Sequence, residues 1–322
     1  MVSRYVYAVI PAVLVIGIVI GYALTLPSSA VVARTDTLQK QVSIAIQPTA
    51  SAQDIESQAK DLEKFLEQKT GYDIQIYVPT TYAGAVEALR FNKVDLAFMS
   101  AWPSYLASKK AGADLGLAEV REVIIDEQMR AETYYYSYWV VKKDSPYQSL
   151  EQLKGKRAAF PSALSTSGYV APMGRMVELG YLTTEQGKEV DPKQFFSEVF
   201  FAGGYAQAWE ALKNDKVDVT IIAGDVSEKL YREVLDNTRV LEQQGPIPSH
   251  GVVFNKDMDP KVKEDMKKAL LELGKDDSTR SIMRKLISAI FVGFKETNSE
   301  THLGMLSKAL EVTGLKFTET LK

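Results

Sequence analysis

Residues 82–101 read YAGAVEALRFNKVDLAFMSA, and residues 205–224 read YAQAWEALKNDKVDVTIIAG. Set at an offset of 123, nine of the twenty positions are identical (Tyr, Ala, Ala, Glu, Ala, Leu, Lys, Val and Asp), and Arg90/Lys213 and Leu96/Val219 are close. In each copy apolar residues recur at helical spacing, a polar turn follows, and an apolar run closes the unit: helix, turn, strand. Lys-Val-Asp is common in helix-to-strand turns, which accounts for part of the likeness. Nine matches exceed what that pattern supplies, so the two copies predict two similar α/β lobes. Two units so far apart do not make a solenoid.

The alternation extends outward from both copies. VSIAI (42–46) ends before Pro48, and Ile55, Ala59, Leu62 and Leu66 then keep helical spacing as far as Gly71. IQIYV (74–78) reads as the next strand. In the second half KRAAF (156–160) is a strand, a helix follows Ser165, and FSEVFF (196–201) is a strand. This order predicts open sheets with helices on both faces. Two such lobes enclose a cleft at the carboxyl ends of their strands. Tyr82 and Tyr205 each open the repeated helix and are expected to face one another across it. TYYYSYWVV (133–141) and residues 241–253 read as the bridges, so lobe 1 is 41–140 plus 241–322 and lobe 2 is 141–240. The tail at 260–321 is mostly helical in pattern and expected to pack back on lobe 1. Tyr134, Tyr135, Tyr136 and Tyr138 read as hinge and core packing, and Met99, Met173 and Met176 as core.

Upstream, no charge falls between Arg4 and Arg34, and residues 5–26 (YVYAVIPAVLVIGIVIGYALTL) are long enough to cross a hydrocarbon core of about 30 Å. The basic residue before them keeps the start cytoplasmic and puts the remainder outside. An uncleaved transmembrane anchor (1–26) is the first reading, because signal-peptide cores are usually shorter. A cleaved signal with sites at Ser28-Ser29-Ala30 or Val31-Val32-Ala33 is the alternative, and 27–40 reads as a linker. The chain is therefore expected outside the cytoplasm, tethered to membrane lipid or released.

Composition narrows the class. The 322 residues are 46% hydrophobic and 25% charged, which suits a globular core and not a disordered chain. A net charge of -3 offers no basic excess for nucleic acid. With no cysteine there is no disulfide, thiolate nucleophile, cysteine metal site or lipid-bearing cysteine. The two histidines, His250 and His302, lack metal-binding spacing, and no Gly-x-Ser-x-Gly elbow is present. His302 reads as a surface residue at the start of the last helix. No catalytic residue, metal or cofactor is expected.

The chemistry concentrates at PSALSTSGYV (161–170), between a strand and a helix. Ser165, Thr166 and Ser167 bring three hydroxyls to a helix start whose amides lack intrahelical acceptors, and the helix dipole favours an anion there. Gly168 lets the backbone approach closely. A plain Ser N-cap is the competing reading.

LEQLKGKRAAFPSALSTSGYVAPMGRM (150–176), the two repeats ending in KVDLAFMS and KVDVTIIAGD, and GPIPSHGVVF (245–254) together resemble the periplasmic phosphate/phosphite/phosphonate-binding proteins of ABC transporters. The likeness covers most of 41–275. It implies a two-lobe periplasmic binding protein-like α/β fold with a hinge, and a monomer that captures a phosphorus oxyanion and presents it to an ABC permease. By resemblance the oxyanion falls on Ser165, Thr166 and Ser167, Tyr82 closes from lobe 1, Trp102 and Tyr105 cover the substituent on phosphorus, and Asp225 supplies an acidic group. Asp225 would accept a hydrogen bond from a protonated P–OH or a ligand amino group; capping the helix DVSEKLYREVL is its alternative role. The chain departs from the family at Tyr205 and Ala206, where members often carry His and Asp, and in SAWPSYLA (100–107), whose tyrosine comes one residue late, which gives Trp102 its role. Tyr205 can donate a hydrogen bond but does not titrate near neutrality. Rival functions are a ligand-sensing subunit of a membrane signalling complex and, with less support from so few histidines, an enzyme on the same fold.

Overall fold

The computed structural model describes residues 40–47, 52–163, 165–185 and 188–315. The expected anchor and nearly all of the linker lie outside the described residues. Among the described residues no helix is long and apolar enough to cross a membrane.

Two sheets organise the chain. The first has seven strands: β1 (Gln41–Ile46), β2 (Asp73–Tyr77), β3 (Leu96–Met99), β4 (Asp114–Ile125), β5 (Gln128–Glu132), β11 (Gly251–Phe254) and β12 (Phe291–Glu296), in the order β12-β4-β11-β3-β1-β2 with β5 on β4. The second runs β10-β6-β9-β7-β8, from β6 (Tyr134–Lys142), β7 (Arg157–Phe160), β8 (Glu198–Phe201), β9 (Val219–Ala223) and β10 (Thr238–Pro248). β1 is parallel to β2 and β3, as β7 is to β8 and β9, so each sheet contains the βα wind that the alternation predicts. Helix α1 (Ala52–Thr70) buries Ile55, Ala59, Leu62 and Leu66 under the first sheet.

The repeats fold alike down to single residues. Helices α2 (Tyr82–Arg90) and α5 (Tyr205–Lys213) each have nine residues and end in a left-handed residue at matching positions, Asn92 (φ 53°) and Asp215 (φ 56°). Asn and Asp tolerate that conformation better than other residues with a Cβ. Val94 and Val217 are buried. Asp95 then accepts from Ser43 N at 2.8 Å, and Asp218 from Arg157 N at 2.9 Å, each tying its strand to the neighbouring parallel strand. Lys-Val-Asp is thus a strand clamp in both lobes, and belongs to the fold.

Two expectations change. β6 and β10 pair over nearly their whole length within the second sheet, so the chain passes between sheets at Thr133 and Ser249 (Ser249 N to Thr133 O, 2.9 Å), before 140 and after 241. The tail, mostly helical as expected, is not helical throughout. After α7 (Pro260–Leu271) and α8 (Asp277–Leu286) it adds β12, antiparallel to β4, and then α9 (Ser299–Thr313). Nor does it keep to lobe 1: α9 lies against α4 (Ala171–Glu178) of the second lobe, where a Cβ on Gly174 would stand 3.0 Å from that of Ala309. The lobes also meet through β4, whose Ile124 N donates to Gly224 O at 3.0 Å. A Cβ at Gly224 would come within 2.7 Å of Ile124 O, so only glycine permits this approach.

Candidate functional site: a hydroxyl loop backed by a buried charge cluster

The loop after β7 enters its helix through one wide turn: Ser165 O accepts from both Tyr169 N (3.0 Å) and Val170 N (3.1 Å). Ser165 Oγ accepts from Gly168 N at 2.9 Å, so the N-cap role is real. Thr166 and Ser167 open the helix, and their amides have no carbonyl one turn back to donate to. Gly168 has a packing reason: a Cβ there would stand 2.1 Å from Pro161 Cγ and 2.8 Å from Ser165 Oγ. Thr166 and Ser167 are buried side chains, so hydroxyl protons here lie in a medium where a donor interacts strongly with an anion.

Tyr205, from the start of α5, places its hydroxyl 2.7 Å from Ser167 Oγ and 3.5 Å from Ser165 Oγ. Tyr135, on β6, donates to Ser167 Oγ at 3.2 Å. Burial, with Asp225 next in effect, pushes both phenols above their ordinary pKa, so both remain protonated donors. A hydroxyl oxygen accepts twice and donates once. The buried Ser167 hydroxyl therefore sits between two phenols, receiving Tyr135 and either donating to or accepting from Tyr205. Tyr135 was assigned to hinge and packing in the sequence; here it touches the loop.

Behind Tyr135 lies a charge cluster that connects the lobes. Arg121, on β4, donates from Nη1 to Asp225 Oδ2 and from Nη2 to Glu119 Oε2, both at 3.0 Å. Tyr135 also hydrogen-bonds Asp225. Burial raises the carboxyls of Glu119 and Asp225 above their ordinary values, against the pull of Arg121. The capping role for Asp225 does not hold: Ser227 caps α6 (Glu228–Asn237) by accepting from Leu230 N at 3.4 Å, while Asp225 turns to Arg121. Glu119 and Arg121 escaped the sequence reading, although a signal existed. They sit two apart in LGLAEVREVII, so strand alternation puts both charges on one face of an apolar strand.

On the lobe 1 side, Tyr82 opens α2 after Thr81, whose Oγ1 accepts from Gly84 N at 3.0 Å; the Tyr82 side chain is outside what the structure describes. Trp102, in α3 (Ala101–Leu106), is buried with Leu303 and Leu306 of α9, in a cluster that includes Val170, three residues past Ser167. Tyr105 is half-buried under Lys109, whose Nζ lies 5.5 Å from its ring, beside Ser299. The described contacts therefore join Ser165, Ser167 and Tyr205 directly, connect Asp225 to them through Tyr135, and put Trp102 and Tyr105 with α9. His302 is not a surface residue: its ring bonds Ser249 O at 3.0 Å, and burial lowers its pKa. His250 Nδ1 stands 4.0 Å from Glu119, and burial, then Arg121, hold it well below its ordinary value, hence neutral. It lines a small chamber with Gln47, Ser100 and Glu119 at the carboxyl ends of β1 and β3. Among the described residues no group of acidic and histidine side chains is arranged to hold a metal.

This geometry has named relatives. Over 178 residues the chain is 29% identical to the phosphate-import protein PhnD of Mycolicibacterium smegmatis, a match spanning 55% of this chain and 53% of that protein. Over 261 residues it is 25% identical to the phosphonates-binding periplasmic protein of Escherichia coli, 79% of this chain and 72% of the relative. Its fold is similar to that of a binding protein component of an ABC phosphonate transporter from Pseudomonas aeruginosa, with a TM-score of 0.61 at 22% identity over 85% of this chain and 86% of that one. The family model for the periplasmic substrate-binding protein of phosphonate ABC transporters matches residues 44–301, most of both lobes, and the chain belongs to that family.

Proposed function

We propose that this chain captures a phosphorus oxyanion, a phosphonate, phosphite or phosphate, on the loop at 165–167 and presents it by hinge closure to an ABC permease. The observation that carries the reading is the cluster of buried hydroxyls at a helix start, where Ser167 Oγ lies 3.2 Å from the Tyr135 hydroxyl and 2.7 Å from that of Tyr205. Tyr82, Trp102 and Tyr105 would close from lobe 1 over the substituent on phosphorus, and the closed form would be what the permease reads. Net negative charge on the chain means that local hydroxyls and amides, not long-range attraction, hold the anion. The chain acts as a monomer, without catalytic chemistry, tethered outside the membrane by residues 5–26 or released if they are cleaved.

Calorimetry against phosphate, phosphite, methylphosphonate and 2-aminoethylphosphonate tests the ligand class; silence toward all four defeats it. Replacing Thr166 with Ala is expected to weaken binding with little change in the melting temperature of the unliganded protein, whereas Ser167→Ala should abolish binding and also cost about 1–3 kcal/mol, because the buried phenols of Tyr135 and Tyr205 lose a partner. Ser165→Ala should in addition lower stability by about 1 kcal/mol, because it removes the cap on Gly168. Amino-terminal sequencing of the membrane fraction separates anchor from signal.

A further inference from the structure

The cluster behind the loop is unbalanced. Glu119 and Asp225 bring two carboxylates to one guanidinium, that of Arg121, and no other cation pairs with either carboxylate among the described residues. The groups around Glu119 come from several elements: Arg121 on β4 itself, Asp225 after β9, Tyr135 on β6, Tyr205 on α5 next to Asp225, His250 before β11, and His302 on α9 behind His250. Both histidines are held neutral and both tyrosines protonated, so none of them offsets the excess. Glu119 Oε1 and Arg121 Nε are buried without hydrogen-bond partners, so Glu119 is held only through Oε2. The excess charge is close to the loop: Asp225 and Ser167 share Tyr135 as a common neighbour.

We propose that this site takes its oxyanion together with one proton, and that Glu119, which bonds Arg121 and not the loop at 165–167, is the residue that requires it. The inference rests on the reading of the loop as an oxyanion site. A dianion on residues 165–167 would face a buried net negative charge at short range, where solvent screens little. One proton from solvent removes the conflict, whether it sits on a phosphorus oxygen or is shared by Glu119 and Asp225. These are microstates of one titration, and a single proton count describes both. Without Glu119 the remaining pair, Arg121 and Asp225, balances, and the dianion can bind unprotonated. Glu119 is thus a positioning residue that sets the charge state accepted, and the site favours oxyanions able to carry a proton.

The test is titration calorimetry of the full chain with methylphosphonate above its second ionisation, in two buffers of different ionisation enthalpy, which reads protons taken up per ligand. The expected count is near one for the wild type and near zero for Glu119→Gln, which keeps an acceptor for Arg121. The variant should also bind about tenfold tighter at that pH, the equivalent of one pKa unit. The wild-type count stands alone if the variant fails to fold. Binding with no proton uptake by the wild type, or equal uptake by wild type and variant, overturns the inference and leaves the oxyanion reading intact. No binding of methylphosphonate, phosphite or phosphate overturns both.

Discussion

Replacing Arg121 with Met puts the charge cluster to a stability test. Arg121 is 4% exposed and holds two carboxylates at 3.0 Å, one in each lobe. Met fills similar volume and donates nothing, so Glu119 and Asp225 are left buried and unpaired. Removing one member of a buried ion pair typically costs about 3–5 kcal/mol, and two stranded carboxylates put this variant toward the upper end at pH 8. The cost should depend on pH, with a definite sign. Both carboxyls have folded pKa values raised above their unfolded ones, so their protonated forms favour the folded state. Their contribution is greatest below the unfolded pKa and is lost as pH rises through the folded pKa. Loss of Arg121 removes the main group pulling them down, so the folded values rise further and the loss extends to higher pH. At pH 5 the deficit should shrink toward two lost hydrogen bonds, roughly 1–3 kcal/mol in all. Urea unfolding of the wild type and Arg121→Met at pH 5, 6.5 and 8 measures this. A deficit that is the same at all three, or below about 1 kcal/mol at pH 8, would refute the argument.

Two further substitutions probe the loop and the duplicated clamp. Gly168→Ala forces a methyl to 2.1 Å from Pro161 Cγ; overpacking of this kind costs about 1–3 kcal/mol, and displacement of Ser165 should take ligand binding with it. Calorimetry showing wild-type affinity in that variant contradicts the packing account. Asp95→Ala and Asp218→Ala should each destabilise by about 1.5–3 kcal/mol, the range for hydrogen bonds to a charged group. Asp218→Ala should be the more costly, because Asp218 also holds the Arg157 guanidinium at 3.0 Å. Equal wild-type stability in both variants would show that the shared Lys-Val-Asp is no clamp.

Much of the fold was legible because it is local. The repeated unit declares itself through helical spacing, a polar turn and an apolar run, with nine identities, all within twenty residues. The Ser-Thr-Ser run was legible for the same reason: a helix start defines its own donors. The boundaries were not. TYYYSYWVV reads as a bridge because it is apolar and sits between lobes, yet pairing with β10, a hundred residues away, makes it a strand of the second sheet. β12 hid inside a helical tail because its partner, β4, is equally distant in sequence.

The candidate site divides in the same way. Ser165, Thr166, Ser167 and Tyr205 could be named from the sequence because each opens a helix, where an α/β lobe turns its residues toward the cleft, while Asp225 was implied by the family resemblance. Tyr135, Arg121 and Glu119 could not, because strand alternation says which face a residue takes and not what waits on that side. The sequence by itself determined two lobes, a duplicated helix-turn-strand unit and a hydroxyl-rich helix start, since these depend on residues close together in the chain. Only the tertiary structure decided that Asp225 is paired with Arg121, that two phenols flank Ser167, and that a second carboxylate, Glu119, shares the same guanidinium. Charge and hydrogen-bond direction at such a site depend on groups brought together from β4, β6, α5 and the end of β9, and no local pattern encodes their meeting.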